Sequence, residues 1–198
     1  MTELRPASQE AEVRPRRFSA GEVQSMLEAG ILHEDDRLEL IDGQLIVMSP
    51  IDDPHVACVN RLNRLFVERT DPDIVVSVQN PVRIDEHNEP EPDLVLSTSV
   101  GGPPHPAAVL LLVEVSGSSL AYDRQVKRPL YARAEIPEVW IVNLQDRQIE
   151  VFRELREGTY RTQFVAKGDD SVVPARLSAV GPVAVRPLLE TLPDEEDR

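Results

Sequence analysis

An apolar run interrupted by a single charge places the strongest constraint on how this chain can fold. The run reads Val-Leu-Leu-Leu-Val-Glu-Val over residues 109–115. Because successive positions are apolar, neither face is polar, and the run predicts a central strand covered on both sides. An ionised carboxylate in such a strand is costly to bury unless it is paired or binds a metal. Glu114 is therefore the first candidate for a functional residue.

The rest of the chain alternates between helical and strand patterns, with clear start and turn signals. Ser19 and Glu22 form a capping box before a helical stripe, and Asp42-Gly43 separates two apolar runs as in a tight hairpin. The order of elements predicts a mixed α/β fold, with a central sheet flanked by helices. The remaining expected elements are a helix from Asp53 (N-cap) and Pro54 (N1) to about Arg69, strands over Ile74–Ile84 (bent at Pro81) and Asp93–Leu96, a helix from about Asp123 to Ala134 with Pro129 inside it, a strand over Ile136–Leu144, and a hairpin around Glu157-Gly158.

Length and composition predict one domain with polar ends. Residues 1–17 are expected to be a flexible arm, 18–186 the folded domain and 187–198 an acidic flexible tail. A single cysteine, Cys58, and the lack of a membrane-length apolar run predict a cytoplasmic protein without a membrane partner. The net charge of −14 opposes binding to nucleic acid unless cations offset it locally.

Three acids and one lysine have the pattern of metal-dependent phosphodiester hydrolysis. Asp93 and Glu114 are placed at the ends of neighbouring strands, where their oxygens, with the Val115 carbonyl, could hold a hard divalent cation. Glu39 could complete that site or accept a proton from water, and Lys127 could offset charge in the transition state. Three of these four residues also have a structural interpretation. Asp93 after a proline fits a turn, and Glu39 and Lys127 fit exposed positions.

The histidines have no metal-ligand spacing, which argues against a zinc site built on them. His55, in the first turn of the second expected helix, is a further residue that could face the site. Cys58, about one turn later, is expected to be a small buried apolar residue.

Five short motifs of the chain form a recognisable set. They are Leu38-Glu39-Leu40-Ile41-Asp42-Gly43, Pro92-Asp93-Leu94, Glu114-Val115-Ser116, Tyr122-Asp123-Arg124-Gln125-Val126-Lys127 and Ile136-Pro137-Glu138-Val139-Trp140-Ile141-Val142. Together they resemble the Uma-two family of restriction endonucleases, within the PD-(D/E)XK nuclease superfamily, over about Phe18 to Arg186. The usual lysine two residues after the second acid is replaced here by Ser116, and Lys127 matches a lysine on the following helix instead.

The resemblance implies a restriction-endonuclease-like αβββαβ core and Mg²⁺- or Mn²⁺-dependent cleavage of DNA. It implies that Asp93 and Glu114 bind the metal and that Glu39 and Lys127 assist catalysis. It also implies a homodimer, because two copies related by a twofold axis suit the two strands of a duplex. Two alternatives stay open at this point. One is an inactive nuclease-like module that binds a protein partner, and the other is hydrolysis of a phosphoester that is not a nucleic acid.

Overall fold

A six-stranded mixed sheet forms the centre of the computed structural model, which describes residues 14–99 and 101–190. The strands are Leu38–Ile41 (β1), Gln44–Val47 (β2), Val75–Val78 (β3), Leu94–Ser97 (β4), Val109–Ser116 (β5), Glu138–Asn143 (β6), Gln148–Arg156 (β7), Thr159–Lys167 (β8), Ser171–Val172 (β9) and Val183–Ala184 (β10). The helices are Ala20–Glu28 (α1), Asp53–Arg69 (α2), Leu120–Tyr122 (α3), Arg128–Arg133 (α4) and Val185–Leu189 (α5), with a π-helical segment over Asp123–Lys127 between α3 and α4. Short 3₁₀ turns cover Glu34–Asp36, Pro106–Ala108 and Ser178–Val180.

The central sheet has the strand order β3-β4-β5-β6-β7-β8. Every neighbouring pair is antiparallel except β5 and β6, which are parallel and joined through α3, the π-helical segment and α4. β5 is therefore flanked by strands on both edges, as its apolar sequence predicts. The mixed α/β fold expected from the sequence is confirmed.

Alternate residues of β5 enter two different apolar layers. Leu111, Val113 and Val115 pack on the side covered by α2 and α5. Leu112 packs on the other side, against Leu120, Tyr131 and further residues. Because side chains alternate along a strand, Glu114 shares the face of Leu112 and points toward the helical segment that follows β5. That direction places the Glu114 carboxylate between β5 and this helical segment, in a cleft that residues of both line.

Local signals in the sequence account for several element boundaries. Ser19 and Glu22 form both hydrogen bonds of the predicted capping box at the start of α1. Asp42 and Gly43 have positive φ angles of 53° and 74°, as a two-residue turn between β1 and β2 requires. A Cβ at Gly43 would lie 2.5 Å from the Cβ of Arg17, so the close packing of Arg17 on this turn also requires glycine.

Two boundaries expected in the first half of the chain are wrong. Asp52, not Asp53, is the N-cap of α2, because its carboxylate accepts the hydrogen bond from the His55 N–H at 3.0 Å. The strand expected over Ile74–Ile84 covers only Val75–Val78. Gln79 has a positive φ of 49°, which turns the chain out of the sheet, and the following residues pair instead with the segment around Pro90.

The helix expected over Asp123–Ala134 begins earlier, at Leu120, and contains a π-helical turn. Pro129 favours such a turn, because in a continuous α-helix its ring would clash with the carbonyl of Gln125 and its nitrogen could not donate to it. In the observed turn, the Arg128 N–H donates to the Asp123 carbonyl, five residues back. The π-helical turn shifts the face on which the following residues lie.

The C-terminal part holds elements that the sequence patterns did not indicate. β9 pairs with β10, and α5 then buries Leu188 and Leu189. The acidic tail placed at 187–198 therefore begins too early, because the fold continues to Leu189; its residues 191–198 lie outside the described part, as do residues 1–13 of the expected arm. Within the described residues, no helix is long and apolar enough to cross a bilayer.

Candidate active site

A cleft of about 280 Å³ lies between the β1–β2 hairpin, the start of α2 and the π-helical segment. All four predicted catalytic side chains line it, together with Val115 and His55. The four are buried, with between 4% and 8% of their surface exposed: Glu39, Asp93, Glu114 and Lys127. Four ionisable groups from distant parts of the chain therefore share one cleft.

Strand register brings the two predicted metal-binding acids together. Leu94 of β4 pairs with Val113 of β5 in an antiparallel register. Continuing that register by one residue places Asp93 opposite Glu114, and opposite residues of antiparallel strands point to the same face with Cβ atoms about 5 Å apart. The backbone supports this pairing, because the Val115 N–H donates to Asp93 Oδ2 at 2.8 Å.

Asp93 is also held by two side chains. His55 Nε2 lies 3.0 Å from Asp93 Oδ1, and Gln79 Nε2 donates to the same oxygen at 3.3 Å. Burial lowers the pKa of His55, but the hydrogen bond to Asp93 and its charge outweigh burial, so the pKa of His55 is raised. His55 therefore positions the Asp93 carboxylate and stabilises its negative charge.

Lys127 joins the two other acids. Its Nζ lies 3.0 Å from Glu39 Oε2 and 3.3 Å from Glu114 Oε1. The Glu91 N–H donates to the same oxygen of Glu39 at 3.2 Å. Burial lowers the pKa of Lys127, but the charges of Glu114 and Glu39 act more strongly together and raise it. Lys127 is consequently a fixed cation at neutral pH and cannot serve as a general base.

Glu114 is the most perturbed acid of the cleft. Burial raises the pKa of Glu114 well above its usual 4.5, Lys127 opposes that rise, and the charges of Asp123, Asp93 and Glu39 add to it. The Tyr131 hydroxyl donates to Glu114 Oε1 at 2.5 Å. Since the contacts with Lys127 and Tyr131 both use Oε1, Oε2 is left for a ligand that enters the cleft.

A fourth buried acid, Asp123, also lines the cleft. Asp123 Oδ2 accepts hydrogen bonds from the hydroxyls of Ser116 and Ser119, both at 2.7 Å. Through the first of these hydrogen bonds, Ser116 ties the end of β5 to the start of the π-helical segment. Because Asp123 is held in place by these serines, the position of Lys127, four residues after Asp123, is fixed as well.

The donor set fits a hard divalent cation on its chemistry. Asp93 and Glu114 supply carboxylate oxygens on one face of adjacent strands, and their mutual repulsion is relieved by a cation. Among the described residues, no three His, Cys, Asp or Glu side chains are grouped to share one ion. A bound ion would therefore depend on two carboxylates, with backbone oxygen and water completing its shell. The role of the Val115 carbonyl stays a prediction.

The sequence patterns indicated four charged residues of the cleft and missed three other residues, one acid and two tyrosines. Tyr131 falls inside the helix expected over Asp123–Ala134, four residues after Lys127 and thus on the same helical face, but no sequence pattern marked it as a site residue. Tyr122 and Asp123 were not predicted as site residues, yet both line the cleft. Their contribution depends on the π-helical turn, which spacing alone does not predict.

A family model described as "Putative restriction endonuclease", Uma2, matches residues 22–182. The chain belongs to the Uma2 family. Among solved structures, this Uma2 protein is similar to one from Anabaena variabilis ATCC 29413, described as "a putative nuclease belonging to DUF820". The two chains are 13% identical and superpose with a TM-score of 0.65, over 82% of this chain and 94% of the other. No curated protein matches the chain.

The structural likeness confirms the restriction-endonuclease-like fold predicted from the sequence. Family membership supports nuclease function, because the matching family model describes restriction endonucleases. The segment matched by the family includes Glu39, Asp93, Glu114 and Lys127.

Proposed function

We propose that this Uma2 protein is a metal-dependent endonuclease that hydrolyses phosphodiester bonds of DNA. One observation carries the proposal: Asp93 and Glu114 lie opposite each other on adjacent strands, and the buried Lys127 ammonium contacts Glu114. Burying three carboxylates and a lysine together costs free energy that a purely structural site would avoid. Such clustering of perturbed ionisable groups in a cleft is typical of catalytic sites.

Asp93 and Glu114 would hold Mg²⁺ or Mn²⁺, with the Val115 carbonyl as a further oxygen donor. The bound cation would neutralise charge that develops on the scissile phosphate and promote ionisation of the attacking water. Gln79, His55 and the Val115 N–H keep Asp93 in place for this role.

Glu39 and Lys127 would act on the water and the phosphate. The contacts of Glu39 with the Lys127 ammonium and the Glu91 N–H both use Oε2. Oε1 would therefore accept the proton of the attacking water. The Lys127 ammonium would stabilise negative charge on the phosphate, because its raised pKa keeps it protonated. Lys127 would thus take the place of the lysine that is absent at Ser116.

Cleavage of both strands of a duplex would require two sites. We therefore propose that the protein acts as a homodimer with twofold symmetry. Light scattering combined with size-exclusion chromatography would test this separately, and a mass corresponding to one chain at assay concentration would contradict it.

The decisive experiment measures nicking of supercoiled plasmid by the purified protein at low salt. We expect cleavage with Mg²⁺ or Mn²⁺, none with EDTA, and loss of at least a hundredfold in Asp93→Asn and Glu114→Gln. Low salt is needed because an acidic protein binds phosphates weakly. No cleavage with either ion, or full cleavage by Asp93→Asn, would contradict the proposal.

Glu138 provides a matched control for the loss of a buried carboxylate. It lies in β6 outside the cleft and accepts hydrogen bonds from the Trp140 Nε1–H and the Ala175 N–H. Glu138→Gln would lose one of these acceptors and lower stability by about 1–3 kcal/mol. Its cleavage rate, measured below its unfolding temperature, should equal that of the unchanged protein.

A further inference from the structure

Two buried side-chain atoms among the described residues have no hydrogen-bond partner: the Tyr122 hydroxyl and His55 Nδ1. Both residues line the same cleft. Buried polar atoms without partners are rare in folded proteins, and each calls for a bound water, a ligand or a catalytic role. Since both occur in one cleft, they point to a ligand that the cleft is built to receive.

The π-helical turn explains why Tyr122 reaches this cleft. Tyr122 and Lys127 are five residues apart, which in an α-helix of 3.6 residues per turn would place them about 140° apart around the axis. A π-helical turn, with hydrogen bonds from i to i+5, brings such residues to the same face. Both side chains therefore line the cleft.

The surroundings of Tyr122 determine what its hydroxyl can bind. Burial raises the pKa of Tyr122 to about 12, with Glu39 adding to the rise and Lys127 opposing it. The hydroxyl thus keeps its proton at neutral pH and can donate. The carboxylates around it would repel a phosphate, and the Lys127 cation is already shared between two of them. A phosphate seated beside Lys127 needs an additional donor, and the unpartnered phenol supplies one.

We propose that Tyr122 is a further catalytic residue, whose hydroxyl donates a hydrogen bond to a non-bridging oxygen of the scissile phosphate. This role rests on the proposed function, because it assumes a phosphodiester in the cleft. A donor that is already shielded from water stabilises charge in the transition state more strongly than a solvated one. The hydroxyl that lacks a partner in the free protein would gain it from the substrate.

The test is Tyr122→Phe, which removes one oxygen and leaves the ring. We expect the rate of Mg²⁺-dependent cleavage to fall about ten- to a hundredfold, the effect of losing a hydrogen bond to a charged group. The affinity for a short DNA oligonucleotide in Ca²⁺ should fall as well, by about threefold to tenfold. The unfolding temperature should stay the same or rise, because the lost oxygen had no partner.

Tyr160→Phe is the matched control. The Tyr160 hydroxyl is also buried, but it donates to the Ile136 carbonyl at 2.8 Å and lies outside the cleft. This substitution should lower the unfolding temperature and leave the cleavage rate unchanged, which is the opposite of the pattern expected for Tyr122→Phe.

Asp93→Asn separates the two proposals. If it abolishes cleavage while Tyr122→Phe cleaves and binds like the unchanged protein, the role of Tyr122 is overturned and the proposed function stands. If Asp93→Asn cleaves normally, or the unchanged protein cleaves with neither ion, the proposed function is overturned. Oligonucleotide affinity then decides the role of Tyr122 as a ligand contact: a loss in Tyr122→Phe supports it, and equal affinity overturns it.

Discussion

Lys127 is the residue whose charge keeps the acids of the cleft compatible with folding. Replacing it by methionine would leave Glu39 and Glu114 buried without their cation, and breaking a buried ion pair in this way costs about 3–5 kcal/mol. Without Lys127 the pKa of Glu114 rises further, so the folded state holds its proton more tightly than the unfolded chain does. Stability contributed by a raised pKa is lost as pH increases, and the deficit of Lys127→Met should be larger at pH 8 than at pH 5.

Urea unfolding at the two pH values would measure this difference as a shift in midpoint. Lys167→Met is the control, because Lys167 is the other lysine in the sequence and is exposed. An equal deficit at both pH values would contradict the role assigned to Lys127.

The raised pKa of Glu114 also predicts how ion binding depends on pH. A protonated carboxyl group does not bind a cation, so Mn²⁺ must displace the Glu114 proton wherever that proton is held. Affinity should therefore fall about tenfold per pH unit below the pKa of Glu114, and the fall should begin well above the pH of 4.5 usual for glutamate. Calorimetry between pH 5 and 8 would measure it. Measurable Mn²⁺ binding with an affinity that does not change with pH over this range would exclude Glu114 as a ligand.

Four of the charged residues of the cleft could be predicted from the sequence, and the clearest case is a charge inside an apolar run, which has few structural explanations. Glu114 shows this most clearly, since its neighbours fix it in a buried strand. Tyr131 could not be assigned in the same way, because a tyrosine inside a helix is ordinarily a core residue, and Tyr122 stood just before the expected helix. Only the positions of their hydroxyls, at the cleft and at Glu114, separate them from the core.

At the level of elements, the π-helical turn is the feature that assembles the site, and Pro129 is its proposed cause. Deleting Gln125, an exposed residue within the turn, would shorten it to an α-helical turn and keep Tyr122 and Lys127 on one face, four residues apart. The deletion alone would bring the Pro129 ring against the carbonyl four residues before it, at a cost of about 3 kcal/mol. Combining it with Pro129→Ala should restore most of that stability.

Chemical denaturation of the deletion, the substitution and the combination would give the coupling free energy between them. If the deletion is equally destabilising with proline or alanine at position 129, the proline does not cause the turn. If the combined variant is stable and still cleaves, the π-helical turn serves to accommodate the proline rather than the chemistry.

Elements with strong local signals were predictable, and those set by tertiary contacts were not. The capping box of α1 and the Asp42-Gly43 turn depend on residues that are close in sequence, and both are present. The early end of β3 depends on the pairing of residues 82–84 with the segment around Pro90, which no local pattern shows. The short strands β9 and β10, of two residues each, carry too little periodicity to be recognised.

On the scale of the whole molecule, the net charge of −14 determines how DNA can be bound. Among the described residues that line the cleft, only two are arginine or lysine, Arg37 and Lys127. The protein should therefore make about two phosphate contacts. A plot of the logarithm of duplex DNA affinity against the logarithm of salt concentration should then have a slope of about −1.8. Divalent ions should raise the DNA affinity of this protein more than that of a basic nuclease, because they also offset the negative charge of the protein.

Fluorescence anisotropy of labelled DNA, at a constant Ca²⁺ concentration and varied KCl, would measure this slope. Arg37→Ala should reduce its magnitude by about 0.9, since one phosphate contact is lost. Arg64→Ala should leave it unchanged, because Arg64 is exposed on α2 and pairs with Glu68 rather than lining the cleft. A slope steeper than about −4 would mean that DNA contacts basic groups well beyond the cleft. Binding would then be governed by another surface, and the acidic cleft would act only on phosphates that this surface delivers.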